Sequence, residues 1–338
     1  MTELIVQSAG PATSLQDAGR FGWQRFGVGP AGAMDRLSLA LANSLVGNPP
    51  GHAAIEFALA GGRLQVSGGS ARIALAGAGS TLKIDGQPVG SFTSATVHDG
   101  QTIELATARS GIFFYLAAAG GFAIAPSLGS VSLHHRAGIG GLEGRTLRAG
   151  DRLPLGLSEP SGPELALTVP PRAQDGPMRV VLGPQDDHFT AAGIATLLDS
   201  EYAISDQADR MGMRLAGPAI EHSAKGFNIV SDGIPTGAMQ VPGNGQPLIL
   251  LADRQTTGGY PKIATVISWD LPRLAQSRPG TRLRFEAIER AEAVRIAKAA
   301  DAEFRALVAK IRPAGIAGLD SSELLSVNLV DGVVDARW

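Results

Sequence analysis

Short runs of strand-forming residues recur along this chain at intervals of roughly 8–15 residues, each closed by Gly, Pro or Asp. In the first half they are Leu4–Gln7, Arg63–Ser67, Arg72–Leu75, Thr81–Ile84, Thr102–Ala106 and Ile112–Ala117. In the second they are Met178–Leu182, Arg214–Ala216, Phe227–Val230, Leu248–Leu251, Lys262–Ile267 and Arg282–Phe285. Spacing this close leaves no room for repeated βαβ crossovers and predicts barrels or sandwiches. With 44 Gly and 21 Pro among 338 residues the chain turns too often for a helical bundle. A hydrophobic content of 44% with a net charge of −2 predicts a buried core rather than disorder.

Only three segments carry a helical period. Asp35–Val46 places Leu37, Leu41 and Leu45 on one face and stops at Gly47-Asn48-Pro49. A second helix is expected at about Asp187–Leu198, with Asp186 as its cap. The longest spans Glu286–Arg312, with an apolar stripe of Ala297, Ala300, Phe304, Leu307 and Ile311 and the opposite-charge pairs Glu286–Arg290 and Asp301–Arg305. The Pro- and Ser-rich stretch Leu157–Gln174 is the natural boundary. It predicts one domain over 1–160, another over 175–312 including the long helix 286–312, and a tail over 313–338.

Composition removes whole classes of chemistry. Lys+Arg 29 against Asp+Glu 31 leaves no basic field for a nucleic acid. The absence of cysteine excludes disulfides, thiolate nucleophiles and Cys-ligated metal. No Walker loop, G-x-S-x-G elbow or metal-spaced histidine pair occurs, and His134-His135 would point to opposite faces of a strand, so no metal is expected. The start, MTELIVQSAG, has no leader character, and the longest apolar stretch, Gly111 to Pro126, is too short to span a bilayer. A cytoplasmic protein without a membrane contact is expected.

Three segments are richer in polar groups and glycine than packing requires. In Thr13–Asp35, Asp17 and Arg20 flank a glycine. They form either an ion pair that braces the loop or a grip on a small anion. Asp35 reads as the cap of the helix it opens. In Ser205–Gly212, Arg210 sits in an acidic turn. In Gly233–Lys262, Asp253, Arg254, Gln255, Thr256 and Thr257 precede Gly258-Gly259, with Lys262 just beyond and Gln240 on the strand leading in. Such a set suits an amide, carboxylate or phosphate and would polarise a carbonyl.

At these segments the chain resembles the biotin-dependent carboxyltransferase-like family, also called allophanate hydrolase subunit 2 or Kip-type antagonist. The stretches that carry the resemblance are TSLQDAGRFG, VGPAGAMDRLSLALANSLVGN with the following Glu56, GGLEGRTLRAGD, SDQADRMGMRLAGP and IPTGAMQVPGNGQPLILLADRQTTGGYPKIATVI. The resemblance implies a mainly β fold with a few helices, built as two tandem cyclophilin-like β-barrel domains and a C-terminal helix. The branch it fits best is the C subunit of the bacterial ATP-dependent 5-oxoprolinase, a hydrolase that opens a lactam to glutamate. Such a chain would be active only with two companion oxoprolinase subunits, one Kip-inhibitor-like and one LamB/YcsF-like, with ATP bound mainly by or with those partners. The 338 residues contain no biotin-carrier segment of the A-M-K-M type and no ATP-binding or amidase domain, which favours this branch. The alternatives are a carboxyltransferase moving CO2 from biotin to urea or a similar amide, and a non-catalytic antagonist of a kinase inhibitor.

For a small amide substrate, the resemblance assigns Asp253, Arg254 and Lys262 to the carbonyl, with Gln255, Thr256, Thr257, Gly258 and Gln240 around it. Asp17 or Glu56 would move a proton, and Arg20 and Arg210 would hold a substrate anion. One departure stands out: where relatives read close to GSRSTxLR, this chain has Val131 and Leu133 for the arginine and threonine, which suggests a different substrate.

Overall fold

Phe113–Ala118, FFYLAA, has no polar member, and a strand without alternation must be covered on both faces. In the computed structural model of the chain, which describes residues 1–157, 162–167 and 175–314, it is. Phe114, Leu116 and Ala118 point into one apolar core, and Phe113, Tyr115 and Ala117 into another. The predicted linker and tail lie largely outside the described residues.

The first core lies between two sheets of the N-terminal half. One has six strands in the order Arg152–Pro154, Glu3–Ala9, Gly62–Ser67, Thr102–Leu105, Leu82–Ile84, Gln87–Val89. The other has five, ordered Ser14–Gln16, Ala54–Ala58, Phe113–Ala118, Ala71–Gly77, Ser94–Val97. Leu4, Val6, Leu64 and Val66 from the six-stranded sheet meet Leu15, Ile55, Ile73 and Phe114 from the five-stranded one, and Phe57 stacks on Phe114 at 5.1 Å. Fully burying each such side chain contributes about 1.5–3 kcal/mol.

The C-terminal half forms one eight-stranded sheet in the order Arg282–Leu283, Tyr202–Ala208, Gly212–Ala216, Leu248–Leu250, Ala238–Gln240, Lys262–Val266, Met178–Leu182, Phe285–Ala287. Its two edge strands are separated in the chain by Arg284 alone, so the sheet curls until its ends meet in a nearly closed barrel. The second core belongs to both halves: Leu39, Leu41, Leu45 and Tyr115 pack with Val180, Tyr202, Met213 and Ile249. That shared core fixes how loops from the two halves face one another.

Among the described residues the chain is therefore mainly β, with four α-helices: α1 Arg36–Leu45, α2 Ala191–Asp199, α3 Leu271–Ala275 and α4 Arg290–Val308. Asp35 caps α1, accepting from the Ser38 amide at 3.0 Å. The cap of α2 is Thr190, not Asp186, which falls in a separate 3₁₀ turn, Asp186–His188. The short α3 has no helical period of its own in the sequence; its only local signal is Pro272 in the first turn.

The long helix starts later than expected because Glu286 belongs to the strand Phe285–Ala287, so a Glu286–Arg290 helical pair cannot form. Asp301 and Arg305 do pair, Ala300 is buried, and Leu307 and Ile311 pack against the second core. Phe227–Val230 is a loop rather than a strand. Its Phe227 ring packs edge-on to His222, while Val230 is 92% exposed and has no strand neighbour to cover it. No helix among the described residues is long and apolar enough to cross a membrane.

Candidate functional site

SDQA of the acidic segment is strand, within Tyr202–Ala208, and the turn proper is Asp209–Gly212. The Asp209 carboxylate accepts from the amides of Met211 (2.7 Å) and Gly212 (3.2 Å), an Asx-type turn that leaves Arg210 at its tip. A second turn, after the strand Leu248–Leu250, is tied to it: the Leu251 amide donates to Met211 O and the Asp253 amide to Arg210 O, both at 2.8 Å. Arg210 thereby reaches across to the N-terminal half.

Its guanidinium is 8% exposed and grips the Asp253 carboxylate with Nε (3.0 Å) and Nη2 (2.9 Å). Nη2 also donates to Gly32 O at 2.7 Å, and Nη1 donates to Glu56. Glu56 in turn accepts from the Met34 amide (2.9 Å) and the Tyr115 hydroxyl (2.7 Å). Burial alone would lower the Arg210 pKa, but the Glu56 and Asp253 charges outweigh it and raise it. Burial pushes the Glu56 pKa up, opposed by Arg210 and by the Tyr115 hydrogen bond. One cation from the barrel is thus held between a carboxylate of its own half and one of the other.

Beside this network lies a cavity of about 350 Å3. Asp253, Arg254, Gln255 and Thr256 line one side; Gly27, Val28 and Gly29 of the first half line another, with His134, Arg136 and Met211 completing it. Gln24 clamps the two halves here, donating to Ile234 O and Thr256 O at 3.0 Å each. Arg254 is 4% exposed; its Nε donates to Ile234 O at 2.8 Å, and Nη2 donates to no protein oxygen among the described residues. Burial, and then the Arg36 charge, lower its pKa. At Gly29 a Cβ would come within 2.9 Å of His134 Nε2 and 3.0 Å of Arg254 O, so only glycine lets the loop approach this closely.

Other predicted residues do other work. Asp17 and Arg20 make neither an ion pair with each other nor a lining of this cavity; both hold the segment 127–132. The Asp17 carboxylate accepts from Ser130 Oγ (2.6 Å), Val131 N (2.7 Å), Ser132 Oγ (2.5 Å) and Gly19 N (2.8 Å). Arg20 donates to the carbonyls of Ser127 (2.9 Å), Ser130 (3.3 Å) and Ser132 (2.9 Å). With its oxygens engaged by four donors, Asp17 is an anchor rather than a proton carrier.

Lys262, 1% exposed, pairs with Asp232 at 2.8 Å. Gln240 donates to Tyr260 O at 3.2 Å, and Thr257–Gly258 pairs with the strand Asp232–Gly233. This second group stands apart from the Arg254 cavity.

His134, Arg136 and Met211 were not among the expected site residues. Their signal was position rather than type, since each adjoins a motif already singled out. Val131 packs against the N-terminal core and Leu133 is buried, and neither lines the cavity. The departure from relatives at these two positions therefore changes packing rather than the wall a substrate would touch.

Residues 26–287 match the family model described as carboxyltransferase domain, subdomain A and B. The chain is 38% identical over 283 residues to the C subunit of 5-oxoprolinase from Haemophilus influenzae, covering 84% of this chain and 90% of that protein. It is 38% identical over 283 residues to the C subunit of 5-oxoprolinase from Escherichia coli, covering 83% of this chain and 90% of that protein. The crystal structure of the Kluyveromyces lactis urea carboxylase superposes with a TM-score of 0.82 over 95% of this chain at 25% identity, and the chain spans 30% of that protein. The chain belongs to the carboxyltransferase domain family, spanning its subdomains A and B.

Proposed function

We propose that this chain is the C subunit of an ATP-dependent 5-oxoprolinase, which opens the lactam of 5-oxoproline to glutamate. The observation that carries the reading is the 38% identity to two proteins of that name over 90% of their length. The chemistry of the Arg254 cavity supports it: about 350 Å3 with a buried guanidinium, an amide and a hydroxyl suits a small polar ring.

In hydrolysis, water adds to the lactam carbonyl, the ring C–N bond breaks and the nitrogen leaves with a proton. Arg254, with Nη2 uncommitted, would meet the negative charge that develops on the carbonyl oxygen. Gln255 and Thr256 would orient the amide. The substrate carboxylate falls to the exposed Arg136, since Arg20 is buried outside the cavity lining and Arg210 is held by two carboxylates. The oxygens of Asp17 and Glu56 are engaged by donors within the fold and those of Asp253 by Arg210, so the acid–base role at the cavity falls to His134. Its Nδ1 accepts from the Ala137 amide at 3.4 Å, which leaves Nε2 to carry the proton.

In line with the family resemblance, we assign ATP mainly to the companion subunits. The likeness to urea carboxylase supports a second reading, carboxyl transfer from biotin to urea or a similar amide in the same cavity.

Arg254→Ala, assembled with the two companion subunits, tests the first reading. Loss of one oxyanion donor lowers kcat by about 10²–10³-fold with assembly intact. Wild-type turnover would remove Arg254 from the reaction.

A further inference from the structure

A second cavity is roomier than the one above. It holds about 580 Å3 and opens where α4 and the first turn of α1 approach the barrel. Phe21, Met34, Leu251 and Val294 give it an apolar wall. No aspartate or glutamate lines it, yet two cations do, Arg36 and Arg290, with three hydroxyls, Thr236, Thr265 and Ser268.

Neither guanidinium makes an ion pair or donates a hydrogen bond among the described residues, and the three hydroxyls are likewise without partners. Arg36 instead stands over the Phe21 ring, 5.3 Å from its centroid. Glu289, next to Arg290, pairs with no cation among the described residues and does not line the cavity; the other carboxylates nearest in sequence are engaged elsewhere. Asp35 accepts from Ser38 and Gln276, Asp270 pairs with Arg179 and Arg273, and Glu292 pairs with Arg295.

The geometry points to a binding site for an organic anion, its apolar body in the cavity and its carboxylate or phosphate held by Arg36 and Arg290. A volume of about 580 Å3 exceeds what a five-membered lactam fills and falls in the range of sites for larger organic ligands. Planar guanidinium forks suit either oxyanion, and the hydroxyls supply neutral donors from the wall. The inference does not rest on the oxoprolinase reading, because binding is measured on this chain alone, without companions or turnover.

Isothermal titration of the full chain with octanoate, octyl phosphate, 1-octanol and inorganic phosphate tests it. The two long-chain anions are expected to bind at least about tenfold more tightly than the alcohol or inorganic phosphate. The Arg36→Gln/Arg290→Gln double variant abolishes that margin. Val294→Glu, which places a negative charge in the wall at a residue already 46% exposed, does the same without touching either arginine. Equal binding of anion and alcohol, or anion binding undiminished in folded double and Val294 variants, would overturn the site. Inorganic phosphate binding as tightly as octyl phosphate would overturn the apolar pocket. The stronger of octanoate and octyl phosphate identifies the head group.

Discussion

Replacing Arg210 by Met should destabilise the fold more at neutral and higher pH than in acid, because of what it leaves behind. Four contacts vanish: two to Asp253 at 2.9–3.0 Å, one to Gly32 O at 2.7 Å and one to Glu56. The methionine fills much of the space, so the loss is chiefly electrostatic: Glu56 and Asp253, 1% and 2% exposed, face each other without a cation. Breaking a buried pair in this way costs about 3–5 kcal/mol. For 338 residues unfolding with about 2.1 cal/mol/K each, a loss of about 4 kcal/mol lowers Tm by about 6 °C.

The sign of the pH dependence follows from the carboxylates. Burial already raises the Glu56 pKa in the folded chain, and removing Arg210 raises it further. A folded state that holds protons more tightly than the unfolded one loses stability as pH rises through that interval and recovers it as pH falls. Thermal unfolding at about pH 8 and pH 5 should therefore show a deficit that shrinks in acid, by about 1.4 kcal/mol per pH unit for each extra proton held. A variant within about 1 °C of wild type at pH 8, or one whose deficit grows in acid, would refute the reasoning.

Two further substitutions examine the anchors of the site. Asp17→Asn exchanges one acceptor oxygen for a donor facing the Ser130 and Ser132 hydroxyls and the Val131 amide; we expect a loss of about 1–3 kcal/mol by urea titration, whereas Asp17→Ala combined with Ser130→Ala should lose less than the sum of the single changes. Gly140→Ala strains a residue at φ +77° and drives its Cβ to 2.1 Å from Ser132 O and 2.7 Å from Arg20 Nη2, so expression of folded protein, read by circular dichroism, should fall sharply while Gly100→Ala, at φ +81° but with open space around it, is tolerated better.

Much of this architecture could be read from strand spacing alone, because turns and two-residue alternation are local properties. Met178–Leu182 appears at its predicted bounds, and Asp35 caps α1 as its position before an apolar period implies. Strands such as Ala54–Ala58 and Tyr202–Ala208 were missed: AIEFA and YAISDQA contain Glu56 and Asp206, whose charges look like turn residues until a partner appears far along the chain.

The candidate site divided in the same way. Motif density located Asp253, Arg254, Gln255 and Thr256, which do line one cavity. It could not tell which of the other charged residues face outward into it. Arg20, Arg210 and Lys262 are all cations beside glycine-rich turns, and in sequence they are equivalent. Their partners, three carbonyls, two carboxylates and Asp232, lie 30 to 154 residues away, where spacing along the chain cannot reveal them.

The central claim is that this chain is a necessary part of a lactam-opening enzyme. The direct measurement is reconstitution from purified chains, following glutamate release that depends on both ATP and 5-oxoproline. Release should appear with all three subunits and vanish when this chain alone is omitted. Undiminished release without it, or none from a soluble, assembled complex that instead carboxylates urea with a biotinylated carrier, would contradict the account.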